Sequence, residues 1–341
     1  MTIHSTGKFT SMRKVVWLAA GVLILQLGFI LSYVAAFHQP TPREIPIVVV
    51  AARGLPAGLD VDTADKLNAI EGTPLDARTA ASTGDARALI RNREVLGAYV
   101  LSPTGTDTLI TASAAGSSIA TSLDAIFTKI DKSQNRTFVV RDDIPVGIHD
   151  NRGLSGFYLS VGWVVGGYLL AAAIGLLIGA PKSLREASTQ LGVLVGYSIL
   201  SGILGAFITT HVLGTFAGHW FPLSVLGTAV VLATALFTLG LRAAVGVVAV
   251  PIAIVVFVIL GNPSAGGAFG PNVLPEFYSA VGRWITPGVG TEGVRSIVYF
   301  AGNGVGQPAL ALVLYTVVGL ALFFGFTYRT QQKPANLPVY A

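Results

Sequence analysis

The residues best equipped for chemistry are crowded into one stretch, RDDIPVGIHDNRG, where Asp142, Asp143, His149 and Asp150 offer three carboxylates and an imidazole. Such a set has the types to hold a metal ion. The same residues fit a solvated linker leading into an apolar helix, and the linker reading is favoured. The only Gly-Lys pair, Gly7-Lys8 in HSTGKFT, lacks the upstream glycine that lets backbone amides cradle phosphates, so the chain is expected to hydrolyse no ATP by itself. Neither GxSxG nor HExxH occurs. With no cysteine, disulfides, thiolate catalysis and Cys-ligated metals are excluded. The sequence therefore predicts a protein that is not an enzyme, with no catalytic residues, no cofactor and no metal site.

What would position any functional residues is a set of apolar segments. Of 341 residues, 52% are hydrophobic and 11% charged, against about 25% charged in soluble domains. Runs of about 18 or more apolar residues point to a bilayer. They fall at 15–37, 157–179, 191–213, 221–241, 243–260 and 309–328. The 223–260 stretch has Arg242 as its only charge and is far longer than one crossing needs, so it reads as two helices that reverse near Arg242 and Gly246, with Pro251 kinking the second. The expectation is a polytopic α-helical membrane protein of six transmembrane helices. No Asp or Glu lies in these spans, which argues against ion-coupled transport; His211 and His219 sit near helix ends.

Lys8, Arg13, Lys14, Lys182, Arg185, Arg242, Arg329 and Lys333 all fall on one side of a six-span chain. The positive-inside rule makes that side cytoplasmic, with both termini inside. The basic residues serve as topology signals, and no nucleic-acid binding is expected. The chain then divides into a cytoplasmic N-terminus (1–14), helix 1 (15–37), an extracytoplasmic domain (38–156), helices 2–5 (157–260), a broken outer stretch (261–308), helix 6 (309–328) and a cytoplasmic tail (329–341).

The outer domain reads as α/β. IPIVVVAA is a buried strand, DVDTADKLNAIEG a helix capped at Asp60 or Asp62, and TGDARALIRNREV a helix capped at Thr83. LGAYVLS and DTLITAS are strands joined through PTGT. SSIATSLDAIFTKI is a helix presenting Ile119, Leu123, Ile126, Phe127 and Ile130 on one face, and RTFVVRDDIP a last strand.

Three groups of site residues follow. The cytoplasmic loop APKSLREASTQ, with Lys182, Ser183, Leu184, Arg185 and Glu186, is the best docking surface for a cytoplasmic partner. Residues 261–308 hold two short helices, the second capped at Thr291, too short to cross and suited to a re-entrant or interfacial hairpin. Pro275, Phe277, Tyr278, Arg283, Trp284, Pro287 and Arg295 would form an outer gate, with a plain interfacial loop as the alternative. Small-xxx-small pairs at Gly162/Gly166, Gly175/Gly179, Gly192/Gly196 and Gly214/Gly218 mark close helix packing, within one bundle or between subunits.

One span, an outer α/β domain, then five spans with a broken segment before the last, resembles the membrane subunit of a type 2 ABC exporter, in particular the YhgE/Pip (phage infection protein) branch. The likeness rests on IPIVVVAARG, EVLGAYVLSPTGTDTLITASAAGSSIATSL, DNRGLSGFYLSVGWVVGGYLL and LGNPSAGGAFGPNVLPEFYSAVGRWITPGVGTEGVRSIVYFAGNG. It implies a homodimer or heterodimer, a separate cytoplasmic ATP-binding subunit, and outward movement of a hydrophobic or amphipathic substrate. Members of the branch also act as phage receptors or secretion accessories, so an envelope scaffold whose outer domain binds another protein is the alternative.

Overall fold

The computed structural model describes residues 6–331, with side chains from 12 to 329. Lys333 lies outside the described residues, and the Lys8 side chain lies outside those described. Five helical segments are long and apolar enough to cross a membrane: Met12–Phe37, Ser155–Leu177, Leu184–Val212, Trp220–Ser264 and Gly306–Arg329. A small α/β domain is inserted after the first.

Helix α1 (Thr6–Phe37) leads directly into the domain. Its strands are β1 (Ile45–Ala51), β2 (Leu75–Thr79), β3 (Gly97–Leu101), β4 (Thr106–Thr111) and β5 (Thr137–Asp142), arranged β2-β1-β3-β4-β5. β1 runs parallel to both neighbours, β3 and β4 are antiparallel, and β5 is parallel to β4. β1 is apolar on both faces because both are covered, as expected of a central parallel strand. Ile45, Ile47 and Val49 join one cluster with α2 (Leu59–Asn68) and α4 (Ser117–Ser133), while Val48 and Val50 join the other with α3 (Thr83–Arg91). Neither cluster is built from the domain alone. Val273 completes the first and Phe300 the second, both from the stretch that precedes the last helix.

Local expectations needed three adjustments. α2 starts after Gly58, at φ 83°, with no side-chain cap, so Asp60 and Asp62 lie inside its first turn, where the helix dipole favours them. Ser82, one residue before the expected Thr83, accepts the Asp85 amide as the cap of α3. β2, LDART, is an extra strand at the sheet edge.

The helical part is built around α7 (Trp220–Val245), which packs against α5 (Ser155–Leu177), α6 (Leu184–Phe207, continued as a π-helical turn to Val212), α11 (Thr286–Tyr299) and α12 (Gly306–Gln331). Glycines set the closest contacts. A Cβ on Gly167 would sit 2.7 Å from the Val231 carbonyl oxygen, and one on Gly240 2.5 Å from that of Gly319. The segment counted as Trp220–Ser264 is not one rod. At Gly246, φ 68° and ψ −138°, it turns back, and Phe237 meets Phe257 at 6.0 Å across the two limbs. The returning limb comprises α8 (Ala249–Ala253), a π-helical stretch Ile254–Leu260 and α9 (Gly261–Ser264). Pro251 lies in the first turn of α8, where its missing N–H costs nothing.

Of the small-xxx-small glycines, two meet another helix: Gly166 faces the Tyr197 hydroxyl and Gly175 the Arg242 guanidinium. A Cβ on Gly162, Gly179, Gly192, Gly196, Gly214 or Gly218 would meet nothing within 4 Å, so the bundle-packing role expected of these six is not seen among the described residues. Gly192 and Gly196 lie on the outward face of α6.

Candidate functional site

The richest concentration of polar side chains lies where the outer domain sits on residues 261–308. That stretch contains α9, then α10 (Glu276–Gly282) and α11. α11 begins at Thr286, five residues before the expected start at Thr291, because Pro287 is tolerated in a first helical turn. Thr291 is consequently inside the helix, its hydroxyl donating to the Pro287 carbonyl at 2.7 Å. The same carbonyl accepts from Ser160 at 2.8 Å, and Thr286 meets Thr234 at 3.1 Å, past the middle of α7. α11 therefore starts deep among α5 and α7 and climbs to the domain. Close contact requires glycine here: a Cβ on Gly288 of α11 would collide with the Gly282 carbonyl oxygen, and one on Gly282, the last residue of α10, with that of Ser264.

At the upper part of α11, Glu292 pairs with Arg93 of the outer domain and with Arg295 at 2.6 Å. Arg93 also donates to the Ser296 hydroxyl at 2.6 Å and lies over the Phe300 ring at 4.9 Å. Arg295, 5% exposed, donates to the Gly266 carbonyl at 2.6 Å. Burial alone would raise the Glu292 carboxyl, but attraction to the two guanidinium groups and their hydrogen bonds hold it down to about 2. Arg93 itself has a left-handed backbone, φ 63°, a strained conformation that the network holds in place.

Further contacts fasten the same junction. The Tyr299 hydroxyl donates to Asp150 at 3.1 Å, and burial pushes this phenol up to about 12, so it stays a donor. Asn303 donates to the Arg91 carbonyl, Gly270 N–H to Ser118, and Arg43 to the Leu274 carbonyl. Beside the Arg93–Glu292 pair, a cleft of about 690 Å³ opens between domain and hairpin, bearing charges of both signs on Arg43, Glu44, Asp76, Glu276 and Arg283.

The gate residues expected from the sequence separate into two sets. Phe277 on α10 and Trp284 just after it are 57% and 48% exposed, the latter next to the exposed Arg283. Tyr278, Pro287 and Arg295 are buried: the Tyr278 hydroxyl donates to Ser32 of α1 at 3.2 Å, and Pro275 precedes α10 at its N-terminus. Arg93, Glu292 and Asp150 were missed as partners of this site. Glu292 stands three residues before Arg295, a helical spacing that signals the intrahelical half of the network; nothing local signals Arg93, 199 residues away.

The carboxylates of RDDIPVGIHDNRG do not converge. Asp143 accepts from Arg87 and Arg141, Asp142 from the Ser113 amide, and Asp150 from Ser155 and Tyr299. Among the described residues no group of three or more His, Cys, Asp or Glu is placed to hold a metal. In the candidate loop between α5 and α6, Ser183 caps α6 by accepting the Glu186 amide at 3.2 Å, and Glu186 accepts the Lys182 amide at 2.8 Å. Lys182, Leu184 and Arg185 point outward.

No family model, curated protein or solved structure matches this chain.

Proposed function

We propose that the chain is the membrane subunit of an exporter of the YhgE/Pip-like type 2 class. In this reading it makes six passes through a bacterial plasma membrane with both termini cytoplasmic, assembles as a homodimer or heterodimer, and moves a hydrophobic or amphipathic substrate outward using a separate ATP-binding subunit. The observation that carries the reading is the mixed-charge cleft of about 690 Å³ between outer domain and hairpin, flanked by the exposed Phe277 and Trp284. A headgroup-level aromatic pair next to a polar recess suits a cargo with an apolar body and a polar end. The fifth pass is residues 249–264, about 24 Å long at helical rise and short of the ~30 Å hydrocarbon core, a deficit that local thinning of the bilayer accommodates.

The test is purification in mild detergent from the native host, identification of co-purifying chains, and comparison of export in deletion and complemented cells. A co-purifying ATPase whose association is weakened by Lys182→Glu with Arg185→Glu, at unchanged yield, supports the reading. Neither side chain is used in capping α6, so the double substitution leaves that loop folded. Purification without an ATPase, together with unchanged export after deletion, sinks it.

One observation favours the scaffold reading instead. β5 is a sheet edge whose Val139 and Val140 are 58% and 47% exposed, an open ladder suited to pairing with a strand of another protein. In that case Val140→Lys abolishes capture of an envelope partner while export is unaffected by deletion.

A further inference from the structure

α1 is the least attached of the apolar helices, with 6% of its span window buried. Up to Ser32 its contacts lie on one face, and only in the last turn does Phe37 also reach Phe269, at 5.7 Å. Gly28 approaches Ile259, the Ser32 hydroxyl donates to the Ile259 carbonyl at 2.6 Å, and Ala36 packs with Leu274 and Tyr278. Roughly 120° around the helix from that face stands Gln26, near the middle of the span and exposed. From residue 15 to residue 31 every other side chain is apolar or the Trp17 indole. Among the described residues the Gln26 carboxamide has no hydrogen-bond partner.

Gln26 is roughly 16 Å of helix from the nearer end of the span, beyond the reach of its side chain to water. A carboxamide left in hydrocarbon is costly, and such groups in spans bond to a neighbouring helix. We propose that the Gln26 face of α1 is a contact between two copies of this chain, with the two Gln26 carboxamides hydrogen-bonded to each other across a two-fold axis. Two features select a second copy over an unrelated helix. The carboxamide is donor and acceptor at once, so a two-fold axis pairs it with itself through reciprocal N–H···O bonds. Two copies inserted with the same orientation also place Gln26 at the same depth, whereas an unrelated helix needs a matching polar group there. Val22 and Ala19, one and two turns away on the same face, leave room for close approach.

The contact rests on α1 crossing a membrane, and it supplies the interface of the dimer proposed above. The chain has no cysteine, so single replacements report cleanly. In native membranes under mild oxidation, Gln26→Cys is expected to give a disulfide-linked dimer at least tenfold more efficiently than Leu31→Cys, which is 71% exposed on another face. Gln26→Leu should weaken detergent-phase association ~3- to 30-fold, and Gln26→Asn should retain most of it. Equal cross-linking at positions 26 and 31, or none at 26, overturns the contact. Rapid modification of Gln26→Cys by a membrane-impermeant thiol reagent also overturns it, placing residue 26 on a water-filled path. Cross-linking with no export counts against the exporter reading alone, and export without cross-linking counts against this contact alone.

Discussion

Glu292 binds two guanidinium groups that differ in their alternatives. Arg93 is 14% exposed in its side chain and retains Ser296 and Phe300 if the carboxylate is lost, whereas Arg295, 5% exposed, would be left as a buried cation holding one backbone carbonyl. Glu292→Ala is therefore expected to cost about 3 kcal/mol or more and Arg93→Ala about 2 kcal/mol, read as thermal unfolding in detergent and as protease cleavage between domain and bundle. Because the Glu292 carboxyl is held to about 2, below its ordinary 4.5, its contribution is complete above about pH 4.5 and disappears as pH falls towards 2. Cleavage at the junction should thus be constant from neutral pH down to about 5 and rise in stronger acid.

A second cluster titrates in the opposite sense. The Tyr99 hydroxyl lies 2.7 Å from Asp107 and 2.6 Å from Asp131 but has one hydrogen to give, so the other contact needs a proton from a carboxyl. Asp107 is already held ionised by Arg136 at 2.6 Å. The proton belongs to Asp131, whose carboxyl is pushed up by burial and by the Asp107 charge. A raised carboxyl stabilises the fold below its ordinary value, and that contribution is lost as pH rises through the native one. Asp131→Asn should therefore stabilise the outer domain by about 1 kcal/mol at neutral pH and flatten its pH dependence, measured by chemical denaturation. If the substitution destabilises at every pH, the shared-proton arrangement is wrong.

Among the helices, the glycines sort by what a methyl group would meet. On Gly205 and Gly227 it would meet the Trp163 indole at 2.5 and 2.4 Å, while on Gly192 and Gly196 it would meet nothing. Ala at 205 or 227 should cost about 1–3 kcal/mol by overpacking, and Ala at 192 or 196 should leave monomer stability within about 0.5 kcal/mol. A change in association alone at 192 or 196 would identify the outward face of α6 as a subunit contact.

Legibility followed locality. β1 and α4 were readable because their apolar periodicity is internal to a few turns or residues, and Ile119, Leu123 and Phe127 are buried as the pattern requires. β2 was not, since LDART offers two buried positions in an edge strand too short for alternation to register. The start of α11 was hidden because Pro287, Gly288 and Gly290 have poor helix propensity, whereas Pro287 occupies a first turn and the two glycines answer to Gly282 and Ser160. Arg93 belongs to the site through a contact across 199 residues, which no local pattern encodes.

At the scale of the whole molecule, domain and bundle form one folded unit, because Val273 and Phe300 complete the two domain cores and the Arg93 network fixes their positions. An isolated fragment of residues 44–145 should consequently expose apolar surface in both clusters, bind a hydrophobic dye and unfold at lower denaturant than the same domain in the full chain. Equal stability in both settings would mean that the two late residues only cover an already complete core. Excising the domain should conversely leave residues 261–308 open to proteolysis.

The reliance on Val273 and Phe300 also sets a schedule for biosynthesis. The last strand of the domain ends at Asp142, so about 160 further residues must be made before Phe300 exists, roughly 10–30 s at ordinary translation rates. During that interval both of the domain's sheet faces are unfinished. Its lifetime in that state, and what shields it there, should govern how much of the protein reaches its final form.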